Sequence, residues 1–185
     1  MMTAEEKERL LTETKKLVQF DDNADSQNLK ALGEKLKPCA DGLVAFFDGH
    51  LKQMEATNKI MEAEPGRWER QEKALRQWYE DLFSGDYGTD YYDKILHIGY
   101  FHSSHKIDQR YVTAMFNIIF NYTLDKIAEN YPDSAERKKY QDSFAKILAL
   151  NSTLMTETYL DGLVTAAGWS MELLKNMAAA ADKSE

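Results

Sequence analysis

The sequence has little that would staple the chain or interrupt it: one cysteine, three prolines and nine glycines in 185 residues. A lone cysteine excludes an internal disulfide, so the chain reads as intracellular, in the cytoplasm, with Cys39 a small buried apolar residue. Nowhere do about 18 apolar residues run unbroken, which argues against a membrane-spanning helix. The start, MMTAEEKERL, lacks the basic region and apolar run of a secretory signal. Basic excess is absent too, with 23 Lys and Arg against 31 Asp and Glu and a net charge of −8. Such a chain has no surplus cation to displace counterions from phosphates, so neither nucleic acid nor an acidic membrane is an expected partner. Cys-x-x-Cys, Gly-x-Ser-x-Gly, His-Glu-x-x-His and Gly-rich phosphate loops are all missing. No catalytic set remains, and enzymatic activity is not expected.

What is present is helical periodicity from end to end. Thr3 and Glu6 have the spacing of a capping box and open a first helix through about Val18. Ser26 is the expected cap of the second helix, and Pro38 marks its end. Leu43, Phe46, Phe47, His50 and Leu51 then share one helical face. Pro65-Gly66 starts a long helix with an apolar stripe of Trp68, Leu75, Trp78 and Leu82. The loop SGDYGTD follows, with Asp90 as the expected cap of a helix striped by Tyr91, Ile95, Ile98 and His102. Asp108 opens a helix over about 108–130 that is apolar nearly all round, and Ser134 is the expected cap of another over about 134–160. Leu160, Val164, Ala167, Met171, Leu174 and Ala178 step by four and three, which is either a short coiled-coil seam or an amphipathic helix folding back. The fold class is all-α, one domain of about seven or eight helices.

Two polar residues interrupt apolar stripes. Gln71 lies between Trp68 and Leu75, and His102 ends the stripe of the next helix. A buried amide or imidazole without a partner costs on the order of 1–3 kcal/mol, so each needs something to bond. On two sequential helices they can face each other across a slot. A flat apolar slot with an imidazole on one wall and a donor on the other suits haem. His97, His102 and His105 do not make a zinc site, because His97 points about 140° away from His102 at 100° per residue.

The stretch from Gly66 to Phe116 resembles the central part of the globin-coupled sensor family. The resemblance is carried by Leu82-Phe83-Ser84-Gly85, Ile98-Gly99-Tyr100-Phe101-His102 and Arg110-Tyr111 leading to Phe116, with Val44-Ala45-Phe46-Phe47-Asp48 upstream. It runs from about residue 26 to 160. It implies a globin fold of the sensor type, related to protoglobins and stressosome globin domains, with an extra N-terminal helix and a C-terminal helical extension. By position it makes His102 the proximal iron ligand of a haem b. Gln71 and Leu75 fall on the distal helix, and Phe47 and Ile98 complete the cofactor wall. Phe47 departs from the family, which usually places there a Tyr that donates to the gas, and Ala74 also lacks a hydroxyl.

The implied function is a haem-based sensor domain for a diatomic gas, oxygen above others, that signals through a homodimer interface on the last two long helices. Residues 1–160 would be the sensor domain and 161–185 an extension or linker towards an output domain. The alternative is a haem-free, globin-like scaffold or interaction domain of stressosome type. Tyr111, Met115, Ile118, Ile119 and Tyr122 are the expected dimer surface.

Overall fold

Nine α-helices and no strand are present among the described residues, which in this computed structural model are 2–182. Met1 of the expected sensor domain and 183–185 of the expected extension lie outside them. The first helix, α1 (Ala4–Leu17), starts on the capping box: the Glu6 amide donates to Thr3 Oγ1 at 3.2 Å and the Thr3 amide to Glu6 Oε2 at 2.7 Å. The second, α2 (Ala24–Leu36), begins two residues before the expected Ser26 because Asp21 accepts from the amides of Asn23 and Ala24. Pro38 sits in a single 3-10 turn, Lys37–Cys39, between α2 and α3 (Ala40–Gln53). A separate short helix, α4 (Glu55–Glu62), then precedes α5 (Arg67–Asp81).

Downstream, α6 (Thr89–Ser104) starts one residue before Asp90, with Gly88 as its cap. Asp108 caps α7 (Gln109–Asn130) as expected, accepting from the Arg110 amide at 2.9 Å. Asp133, not Ser134, caps α8 (Ser134–Ala166), because its carboxylate reaches the amides of Ala135 and Glu136. The seam expected to continue from Leu160 to Ala178 is cut. Gly168 takes φ 73°, the Gly168 amide donates to Thr165 O and the Trp169 amide to Val164 O, which closes a Schellman turn. A last helix, α9 (Met171–Asp182), therefore starts as a separate element that touches α8 and leaves Leu173 and Met177 exposed.

The core is built on α8. Its most extensive partner is α6, and α7 and α2 pack beside it. Gly99 makes the α6 contact possible, since a Cβ there would meet Met155 O at 2.5 Å and Thr158 Oγ1 closer still. Gly162 plays the same part opposite Ser103. At the other edge Asp25 clamps α2 to α8, accepting from Ser143 Oγ at 2.7 Å and Lys146 Nζ at 2.9 Å.

Two expected burials and one expected surface are corrected. Phe46 is 43% exposed, and α3 buries Val44 and Asp48 instead. Cys39, at the 3-10 turn, is only half-buried. Met115 and Ile119 are 7% and 4% exposed, inside the protomer, and the Tyr122 hydroxyl is spent on Cys39 O at 3.0 Å. The large apolar side chains that remain exposed include Leu160, Leu163, Trp169, Leu173 and Met177, on α8, α9 and the turn between them.

Gly99→Val should destabilise the protein by about 1–3 kcal/mol through overpacking against α8. Urea unfolding followed by far-UV circular dichroism measures it, and an unchanged midpoint would rule out the close approach.

Candidate haem site

The helices α5 and α6 leave the loop 82–88 as two arms of a hairpin. The loop is compact, with Leu82 and Phe83 buried and the Tyr87 hydroxyl donating to Leu82 O at 2.6 Å. Beyond it the arms take different partners: α5 packs on α3 and α4, α6 on α8, and no comparable face joins α5 to α6 among the described residues. Gln71 and His102 lie at matching depth, roughly 15–20 Å from the loop at 1.5 Å per residue. Leu75 belongs to the main core, against which Ile98 and Phe47 pack half-buried. Phe47 also lies against a second apolar cluster of Leu51, Met61 and Met115, with Trp68 and Ile118.

His102 is half-buried, and its Nδ1 lies 2.8 Å from Ile98 O. A carbonyl only accepts, so Nδ1 carries the proton and Nε2 keeps a bare lone pair. Burial pushes the imidazole below its ordinary pKa; the Ile98 bond opposes this and His105 adds to it. The ring is therefore neutral near pH 7 and able to ligate a metal through Nε2. By contrast, His105 is exposed, stacked on Phe101 at 3.9 Å, and His97 is exposed on another face.

Gln71 is half-buried, and its amide oxygen is shielded from solvent with no hydrogen-bond partner. Native proteins seldom leave such an atom unpaired, so it marks a place where a partner is expected. Ala74, one turn on, is exposed and takes no part.

Sequence reasoning passed over the residue that ties the two arms together. Asn151 of α8 is fully buried. Its Oδ1 accepts from Trp78 Nε1 of α5 at 3.1 Å, and its Nδ2 donates to the Tyr91 oxygen of α6 at 2.8 Å and to Ile147 O. The signal was an amide inside the apolar stripe of α8, but its two partners lie 73 and 60 residues away. A carboxyl inside the stripe of α3, Asp48, was likewise legible only as a letter.

The helix order, the close packing of α6 on α8 and an imidazole on one arm with an amide on the other define an all-α protein of the globin fold. The globin domain of the Geobacter sulfurreducens globin-coupled sensor superposes on it with a TM-score of 0.75. That likeness covers 86% of this chain and 99% of that one, at 24% sequence identity. The family model described as Protoglobin matches residues 7–164, and the chain belongs to that family. The resemblance read from Leu82-Phe83 and Ile98-Gly99-x-x-His102 is thus borne out. No curated protein matches.

Asn151→Leu should cost on the order of 3 kcal/mol, because the Trp78 N–H and the Tyr91 hydroxyl both lose their partner inside the core. Tyr91→Phe, which leaves Trp78 paired, should cost about 1 kcal/mol. Equal losses in urea unfolding would remove Asn151 as the shared partner.

Proposed function

We propose that this protoglobin-family chain is a haem-based gas-sensing domain. The observation that carries the reading is His102: a neutral imidazole, its Nδ1 committed to Ile98 O and its Nε2 free, on the arm that neighbours Gln71. The residues present fit haem. One nitrogen is ready to ligate, Ile98, Leu75 and Phe47 offer apolar walls, and the orphaned Gln71 amide supplies a polar group on the other arm. With one cysteine and no Cys-x-x-Cys-His, the group would be held without thioether links, as haem b is. When bound, haem would supply an iron that can take up a diatomic gas.

The chain's own part is to hold and to select. His102 binds and orients the group, and its bond to Ile98 O fixes the ring against rotation. Phe47, Leu75 and Ile98 exclude water. With its side chain turned so that Nε2 and not the orphaned Oε1 faces the gas, the Gln71 amide donates a hydrogen bond to it, a task that Phe47 cannot share.

Residues 1–160 form the sensor unit in this reading, and 161–185 lead towards an output domain. The chain acts in the cytoplasm, as a homodimer through its last two long helices, and performs no catalysis itself. No helix among the described residues is long and apolar enough to cross a membrane. With Met115 and Ile119 turned inward, the apolar contact between copies falls on Leu160 and Leu163 of α8. One feature favours a second reading, the haem-free scaffold: Phe47, Leu51, Met61, Trp68 and Met115 close on one another as a filled apolar wall.

An absorption spectrum decides between the two. A Soret band that is lost in His102→Ala and kept in His97→Ala and His105→Ala is expected; a colourless protein after haem reconstitution gives the scaffold reading. Gln71→Leu should speed oxygen dissociation about ten- to a hundredfold, the equivalent of roughly 1.5–3 kcal/mol for a bond to a partly charged acceptor. Carbon monoxide, a poorer acceptor, should respond far less, and Phe47→Tyr should slow oxygen release. Sedimentation at micromolar concentration tests the dimer, and a monomer would remove it.

A further inference from the structure

The contact between α3 and α5 contains a carboxyl where an apolar residue is expected. Asp48 is 5% exposed, and its Oδ1 is shielded from solvent with no N–H or O–H partner. Across the contact stands Glu72 of α5, at the register set on one side by the Arg76–Asp41 ion pair and on the other by the Lys52–Trp68 contact. Two carboxyls so placed in a poorly solvated contact do not both ionise, because their repulsion is barely screened. With one proton between them the repulsion becomes an O–H···O⁻ bond, among the stronger hydrogen bonds.

The groups around the pair offer no other donor. Lys52, on the same helix as Asp48, is the one cation that acts on it, and its ammonium lies over the Trp68 ring at 4.7 Å. On α5, Arg76 is paired with Asp41. The neighbouring parts of α4 and α7 bring Met61, Met115 and Ile118, which carry no charge. The Arg76–Asp41 pair and the Lys52–Trp68 contact flank the carboxyls along the two helices. Losing the proton would therefore shift α5 on α3 and not release it.

We propose that Asp48 is a positioning residue for the distal arm: it shares a single proton with Glu72 across the α3–α5 contact, and that proton sets where α5 sits, and with it Gln71. The consequence for gas binding rests on the haem reading above; the shared proton does not.

Burial first, then the hydrogen bond and charge of Glu72, push the Asp48 carboxyl up to about 6, against a smaller pull from Lys52. The sign follows from proton counts. From the ordinary carboxylate range up to about pH 6, the folded protein keeps a proton that the unfolded chain has given up. Stability therefore falls as pH rises through that window and is lowest above it.

The test uses the full chain as purified, with Asp48→Asn, which keeps the shape and cannot titrate, and Glu72→Gln, which removes the second charge. Between pH 5 and 7.5 the wild-type Tm should fall about 3–6 °C further than that of either variant. Hydrogen exchange, corrected for intrinsic rate, should show α5 amides losing protection at least about threefold over the same range in the wild type, α8 amides unchanged, and neither helix changing in Asp48→Asn. In haem-loaded protein, oxygen dissociation should change with a midpoint near pH 6 in the wild type and stay flat in Asp48→Asn. Parallel Tm profiles in all three proteins would overturn the shared proton. A Tm step without an α5 exchange step would overturn the positioning role. Failure to take up haem would overturn the haem reading alone, with the Tm and exchange profiles still deciding this one.

Discussion

The side-chain amide of Asn151, sealed inside α8, bonds to Trp78 of α5 and Tyr91 of α6 at once, so the two arms that carry Gln71 and His102 are pinned to a third helix near their loop end. An amide is suited to this place because it accepts through one atom and donates through the other, and it carries no charge to desolvate. Trp78 adds an edge-on contact with Phe116 of α7, and Tyr87 packs edge-on against Tyr91. With that end fastened, the arms follow their own partners, α5 towards α3 and α6 towards α8. The separation of the two arms is a consequence of these different partners, not of any one residue on α5 or α6.

The two arms are held by different kinds of contact. On one side α6 lies backbone-close to α8 through Gly99, and the Tyr100 hydroxyl donates to Asp161 at 2.6 Å. His102 stands on that tightly held helix, with its ring fixed by Ile98 O. On the other side α5 and α3 share apolar clusters through Leu75, Trp68 and Phe47, and add an ion pair, a cation–aromatic contact and the Asp48 carboxyl. The closer backbone approach on the α6 side and the polar groups on the α5 side are what the proposed haem reading asks of the two arms. The α6–α8 contact extends to Asp161 and Gly162, shortly before the Schellman turn at Gly168.

Buried polar atoms mark the places where packing alone does not explain the sequence. Asn151 and Asp25 are satisfied and serve as clamps between helices. Gln71 and Asp48 each keep an oxygen without a donor, and both lie on the distal side of the fold. An apolar side chain at either position would avoid the cost of that unpaired atom. Their retention is the physical argument that each position has a polar role beyond packing.

By itself the sequence determined the class of structure, the approximate helices and the imidazole at the end of a stripe. Caps and stripes are read from residues three or four apart, and the forces behind them act within one turn. Thr3 with Glu6, Asp108, and the run from Ile95 to His102 are of this kind. Even there, neighbouring acceptors compete, and Asp21 and Asp133 displaced Ser26 and Ser134. The ordered motifs around Leu82-Phe83 and His102 were enough to place the family. Tertiary structure decided the rest. It turned Met115 and Ile119 inward and Phe46 outward, and it ended α8 at the Gly168 turn, although the apolar spacing ran through that point. It also brought Trp78 and Tyr91 to Asn151 and Asp48 to Glu72. A helical sequence specifies which side chains share a face, but which helix that face meets is settled by packing between segments far apart in the chain.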